Sequence, residues 1–179
     1  MQTVKVRASD IARAFAYNQP IDFNRPYYNG NTLADRLHED FARKNGTMKP
    51  EDLDSSLKYL SRVTGNILVM GRADGLRLDG DLVTIVEFKT IWGTEPRPEV
   101  IAQATLQVQI YAWLIQPELN RLNKRLSPVH FVEIIDRRTG QLVMTVKVAK
   151  LDSETIERII WYTVYKYIDN KEGDNHESR

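Results

Sequence analysis

Cysteine is absent from the 179-residue chain. That removes disulfides, thiolate zinc sites, thiol catalysis and cysteine-ligated iron–sulfur clusters together. No run approaches the ~18 consecutive apolar residues of a membrane-spanning helix, and the opening MQTVKVRASD lacks the apolar centre of a secretory signal. An excess of one charge is also missing: 25 Lys and Arg stand against 24 Asp and Glu. A polyanionic partner would therefore be met by a local cluster of cations rather than by the whole surface. These absences lead to the expectation of a cytoplasmic, intracellular protein with no membrane contact.

The length suits one domain with a real core and falls short of two. Ser9 and Asp10 suggest a cap for a short helix, IARAFAY. The prolines and glycine of NQPIDFNRPYYNGN, residues 18 to 31, indicate a loop. Thr32 opens a second helix with Leu33, Leu37 and Phe41 at helical spacing, ending near Asn45-Gly46. A third is predicted from Pro50-Glu51, with Leu53, Leu57 and Leu60 on one side and Gly65-Asn66 as its stop. Two strands follow, ILVMGRAD and LVTIVEFK, around a turn at Asp79-Gly80. A long helix is predicted from about Glu99 to Ile115 with Pro117 as its stop, then strands VHFVEIID and QLVMTVKV, and a last helix over 153–168. This order implies an α/β fold: a mixed sheet of four or five strands flanked by helices. The predicted domain covers 1–170, with a helical part at 8–64, an α/β core at 66–168 and a polar, disordered tail at 171–179.

The charges of GRADGLRLDGDLVTIVEFKT are out of keeping with its apolar pattern. Alternation puts Glu87 and Lys89 on the same strand face as Val83 and Ile85, and Asp74 sits on the strand before. A buried charge must be paired, metal-bound or partly wet. Two explanations stand at this point. One is a salt bridge between Lys89 and either carboxylate. The other is a site in which Asp74 and Glu87 share a hard divalent cation, Mg²⁺ or Mn²⁺. The long helix favours the second, because Gln103, Gln107 and Tyr111 fall four apart on one face and can line the same cavity. His38 alone reads as a surface or satisfied core histidine; beside the other features it becomes a candidate third ligand.

Asp74, twelve intervening residues, then Glu87-Phe88-Lys89 resembles the pattern of the PD-(D/E)XK nuclease superfamily. The wider set is similar to its RecB-type branch, which includes CRISPR-associated exonucleases: His38 in ADRLHEDF, GRAD ending at Asp74, EFKT at 87–90, and Gln107-Val-Gln-Ile-Tyr111. VRASDIARAF also resembles that branch's opening helix, so the likeness spans residues 6 to 115. It implies a restriction-endonuclease-like core in which His38, Asp74, Glu87 and the backbone carbonyl of Phe88 bind the metal. Lys89 would be the catalytic lysine, with Gln107 and Tyr111 orienting it or a substrate phosphate. Many relatives hold a [4Fe–4S] cluster on four cysteines. This chain lacks them, so no iron–sulfur cluster is expected, and Trp161, Tyr162, Tyr165 and Tyr167 are expected to hold the terminal regions instead.

The resemblance implies a metal-dependent deoxyribonuclease acting on single-stranded DNA or free ends, chiefly as an exonuclease, with endonuclease activity as a second capacity. The role would lie in DNA repair, recombination or replication of a cell or virus. The alternative is a catalytically weak nucleic-acid-binding module on the same fold. Arg13, Arg36, Arg43, Lys44, Arg62 and Arg72 are candidate phosphate contacts, each with a solvated-surface alternative. Tyr27 and Tyr28, beside Arg25, are candidates either for stacking on bases or for core packing. Ring-forming relatives leave a homo-oligomer open.

Overall fold

A computed structural model describes residues 3–24 and 33–173, with side chains through residue 168. Strand β1 (Val4–Arg7) runs directly into helix α1 (Ala8–Tyr17). Helix α2 (Leu33–Lys44) precedes a single turn, α3 (Pro50–Leu53), and a 3-10 turn at Ser55–Leu57. Two hairpins follow: β2 (Leu60–Thr64) with β3 (Ile67–Gly71), and β4 (Gly75–Asp79) with β5 (Leu82–Ile91). Helix α4 (Pro98–Arg121), a short β6 (Arg125–Leu126), the hairpin of β7 (Val129–Asp136) and β8 (Leu142–Ala149), and helix α5 (Ser153–Gly173) complete the chain. No helix among the described residues is long and apolar enough to cross a membrane.

The main sheet has five strands in the path β4-β5-β7-β8, with β6 also beside β5. The pairs of β5 with β7 and β6 are parallel and the others antiparallel, which makes the mixed, helix-flanked sheet expected from the element order. A second, three-stranded sheet, β1-β3-β2, was not expected. It arises because ILVMGRAD is not one strand: pairing stops at Gly71 and resumes at Gly75. The chain at Thr47 and Met48 crosses against this second start, where Met48 and Leu76 exchange backbone hydrogen bonds at 2.9 Å. A Cβ on Gly75 would collide with the Thr47 side chain, so glycine is what permits the crossing. Asp74 therefore lies in the break between β3 and β4, not on a strand.

Three further expectations need correction. Ser9 and Asp10 lie inside α1, whose N-cap is Arg7; Asp10 accepts from Arg7 Nε at 2.6 Å. The predicted third helix ends at Leu53, and Leu60–Thr64 forms a strand whose Leu60 and Thr64 are buried while Ser61 and Val63 are exposed, the period of a sheet. Helix α4 does not stop at Pro117 but continues to Arg121. Proline removes the N–H that would bond the carbonyl of Trp113, and Arg62 supplies the missing donor, its Nη1 lying 2.8 Å from that oxygen.

Strand β5 is buried on both sides. Val83 and Ile85 enter the principal core with α4, whereas Val86 and Phe88 join Ile135 in a smaller cluster beneath Phe41 and Ala42 of α2. Helix α4 buries residues all round its circumference, while α2 buries none completely. Helix α5 is tied to the first half of the chain by aromatic donors. Trp161 Nε1 donates to Thr64 Oγ1, Tyr165 Oη to Asn66 Oδ1 and Tyr167 Oη to Asn18 Oδ1; Tyr162 is exposed.

Candidate active site

Four of the residues predicted for the site form one hydrogen-bonded chain. Lys89 Nζ donates to Glu87 Oε1 at 2.7 Å and to Gln107 Oε1 at 2.8 Å. Gln107 Nε2 in turn donates to Tyr111 Oη at 2.8 Å. Period-two alternation on β5 sets the first pair on the face toward α4, and the one-turn spacing on α4 aligns the second. Gln103, one turn earlier, is half-buried and takes no part in this chain. The structure thus contains the salt bridge of the simpler reading within the same group as the other site residues.

Asp74 approaches from the other side. Its Oδ2 accepts the backbone N–H of Phe88 at 2.9 Å and lies 3.8 Å from His38 Nδ1. His38 is carried by α2 and packs its ring 5.8 Å from that of Phe88. Two buried atoms here have no hydrogen-bond partner, Glu87 Oε2 and His38 Nε2. Among the described residues, no three His, Asp or Glu side chains are grouped as a ready-made metal cage. The carboxylate oxygens are nevertheless donors of the right kind for Mg²⁺ or Mn²⁺, whereas an imidazole is a poor ligand for Mg²⁺.

One ammonium does not neutralise two carboxylates, and the electrostatics reflect this. Burial, together with the charge of Asp74, pushes Glu87 up to about 8, and the attraction of Lys89 offsets only part of the rise. Burial alone would lower Lys89, but Glu87 and Asp74 outweigh it and hold the ammonium above its ordinary value. Burial lowers His38, opposed in part by Asp74 and aided by Lys89, so the imidazole is neutral at neutral pH, the form that can donate a lone pair.

Gly71, the first residue of GRAD, lies against this chain. A Cβ on it would come within 2.7 Å of Tyr111 Cε1 and 3.0 Å of Leu114 Cδ1. Nothing in the sequence alone marks that contact, because it joins an end of β3 to the middle of α4.

A cleft of about 860 Å³ opens above these residues, lined by His38, Asp74, Gln107 and Tyr111 with Arg43 and Arg72 among others. Glu87 and Lys89 do not line it; Glu87 is wholly buried and a fifth of the Lys89 side chain is exposed. The cations of the cleft are paired with acids: Arg43 with Asp40, Arg72 with Glu51 at 2.7 Å and Lys49 with Glu39 at 2.8 Å. Arg13, Arg36, Lys44 and Arg62 lie outside the lining. Arg13 pairs with Asp10, and Arg62 is held over the ring of Trp113 at 4.4 Å. Arg25, Tyr27 and Tyr28 fall outside the described residues.

No protein-family model and no curated protein matches the chain. Solved structures do match in fold. The protein SSO0001 superposes with a TM-score of 0.55 at 17% identity, covering 92% of this chain and 77% of its own. An alkaline exonuclease from Laribacter hongkongensis, LHK-Exo, gives 0.51 at 14% identity, covering 99% of this chain and 94% of its own. The same exonuclease in complex with dAMP gives 0.51 at 14% identity over 95% and 89%. The chain therefore shares the fold of an exonuclease.

Proposed function

We propose that the protein is a divalent-metal-dependent nuclease of the RecB type that hydrolyses DNA phosphodiester bonds, preferring single strands or free ends. The observation that carries this reading is the buried Glu87: one carboxylate oxygen is held by Lys89, and the other has no donor and stands beside Asp74. A buried carboxylate in that state is costly unless a cation or a proton completes it. His38, Asp74, Glu87 and the carbonyl of Phe88 would hold Mg²⁺ or Mn²⁺. Bound there, the metal would lower the pKa of a water and offset charge on the phosphate. The fold shared with an alkaline exonuclease, seen also with dAMP, supports DNA as the substrate class.

The chain's own residues supply the rest. Lys89 presents a permanent positive charge toward the phosphate oxygens that gain negative charge as the bond breaks. Gln107 fixes the ammonium by accepting one of its hydrogens, and Tyr111 fixes Gln107 in turn. Asp74 pins the backbone of Phe88 and so sets where Glu87 and Lys89 project. The second reading, a binding module without turnover, is favoured by the ion pair that already occupies one oxygen of Glu87.

The test is cleavage of end-labelled linear DNA and of closed circular single strands in Mn²⁺, Mg²⁺ or EDTA. Degradation in either metal and none in EDTA is expected. Glu87→Ala and Lys89→Ala are each expected to reduce the rate by about 10²–10³-fold, as for loss of one preorganised charge-stabilising group. Unchanged cleavage by either variant would exclude the assignment. Binding without cleavage in both metals would establish the module, and cutting of circles would add endonuclease activity.

A further inference from the structure

Trp92 is the most exposed large apolar side chain among the described residues, with 72% of its surface in solvent. It immediately follows β5, three residues beyond Lys89, or roughly 10 Å at ~3.3 Å per residue of strand. It is not loose at its base. The N–H of Arg137 donates to the carbonyl of Ile91 at 2.7 Å, which extends the parallel pairing of β5 and β7 by one step. The guanidinium of Arg137 lies 5.4 Å from the centre of the Trp92 ring. Its Nε is buried with no hydrogen-bond partner, and Arg137 forms no ion pair among the described residues.

The neighbouring carboxylate does not neutralise this corner by direct pairing. Asp136 spends its oxygens on the turn, accepting from the N–H of Arg138 at 3.0 Å and from Thr139 Oγ1 at 3.1 Å. Arg137 therefore differs from Arg43, Lys49 and Arg72 of the cleft, each of which is matched to an acid, while Arg138 is attracted to Asp136 without a salt bridge among the described residues. The turn also flanks the catalytic side of the sheet. A Cβ on Gly140 would lie 3.9 Å from Leu37, the residue before His38 on α2. An aromatic ring, the guanidinium of Arg137 without an ion pair and a position at the carboxyl ends of two parallel strands coincide here, where ligands of open α/β sheets bind.

We propose that Trp92 and Arg137 form a stacking platform for an unpaired base of single-stranded DNA, with Arg137 and Arg138 meeting the adjoining phosphates. This deepens the nuclease reading and rests on it for the identity of the ligand. An exposed indole backed by a guanidinium offers its open face to any base, without sequence preference. A paired base is already stacked and gains less, so the platform selects single strands. It would hold the nucleotide next to the scissile bond rather than the bond itself.

Fluorescence anisotropy of a labelled single-stranded oligonucleotide in EDTA separates binding from cleavage. Trp92→Ala is expected to weaken binding about 5- to 150-fold, the range for losing one base–aromatic stack. Trp92→Phe should stay near wild type. An oligonucleotide of abasic sugars should bind wild type and Trp92→Ala alike, and Arg137→Gln should weaken both oligonucleotides. Equal affinity of Trp92→Ala and wild type for the normal strand would overturn the platform, as would an equal loss with the abasic strand. A change of oligomeric state in Trp92→Ala with unchanged affinity would assign the residue to a protein interface and overturn it too. Trp92-dependent binding by a protein that cuts nothing in Mn²⁺ would keep the platform and remove the nuclease reading. Cleavage that survives with Trp92-independent binding would do the reverse.

Discussion

Arg62 donates to the backbone carbonyl of Trp113 that Pro117 leaves without a helical donor. The helix interior thereby keeps its accounting of backbone polar groups complete while running through a proline. The same guanidinium stacks over the Trp113 ring and lies 3.7 Å from Glu157 of α5. Strand β2, helix α4 and helix α5 are thus joined at a single side chain.

Arg62→Ala is expected to lower stability by about 1–3 kcal/mol, the cost of a buried acceptor left unmade. Pro117→Ala restores a helical N–H to the same carbonyl, so the loss caused by Arg62→Ala should be smaller in that background. Urea denaturation of the four proteins of this cycle measures the coupling, and strict additivity would show that Arg62 acts elsewhere.

Gly71 is expected to act at a distance on the lysine. Gly71→Ala would force the Tyr111 ring away and cost about 1–3 kcal/mol by overpacking. Tyr111 holds Gln107, which holds Lys89, so cleavage should fall as well. Replacing Tyr111 by Leu in the same chain should recover stability without recovering activity. Recovery of both would place the effect of Gly71 outside the tyrosine–glutamine–lysine chain.

Glu87 makes stability depend on pH in a definite direction. Its folded pKa, about 8, stands above its ordinary value of 4.5. Between these values the unfolded chain has lost the proton and the folded chain retains it, so stability falls as pH rises. The contribution is complete below about 4.5 and lost once pH has passed about 8. In metal-free protein, the difference in unfolding free energy between wild type and Glu87→Gln should change by a few kcal/mol, on the order of 1.36 per pH unit, across that window. A difference independent of pH would contradict the protonated, buried carboxylate.

His38 is expected to serve affinity for the metal more than the scaffold. His38→Ala should reduce Mn²⁺ binding, followed by calorimetry, by at least about 10-fold, a loss that even supporting residues of metal sites produce. The thermal midpoint of the metal-free protein should change little, because α2 buries no residue completely. Unaltered Mn²⁺ affinity would remove His38 from the ligand set.

Glu87, Lys89, Gln107 and Tyr111 could be placed together from sequence because each sits on an element with an unambiguous period, whereas Asp74 lies in the break between two strands. The run Val83, Ile85, Glu87, Lys89 alternates cleanly, and Gln107 and Tyr111 are one helical turn apart; both spacings survive folding unchanged. The second sheet was not legible. Strand β1 has only four residues and pairs in parallel with β3 across the whole of α1 and α2, a contact that leaves no local signal. The leucines at 53, 57 and 60 mimic a helical stripe, yet they serve a helical turn, a 3-10 turn and a strand in succession. Pro117 misled for a related reason, since its partner carbonyl is satisfied from β2, outside the helix. The pairing of the cleft's cations with acids was equally hidden, because Lys49 with Glu39 and Arg72 with Glu51 meet only in three dimensions.

The shallow seating of α2 divides the site into regions of unequal local stability. Asp74 bonds to a strand buried on both faces, and Glu87 and Lys89 stand on it, among the last parts of the molecule to open. His38 rides on a helix with no fully buried residue, which is expected to open at lower free energy than that strand. With the proposed ligand set, the fraction of molecules able to hold a cation would be the fraction with α2 seated, and apparent affinity would scale with it. A cation bridging the two regions would return part of its binding energy as order in α2, so that loading the site and closing the cleft become one equilibrium.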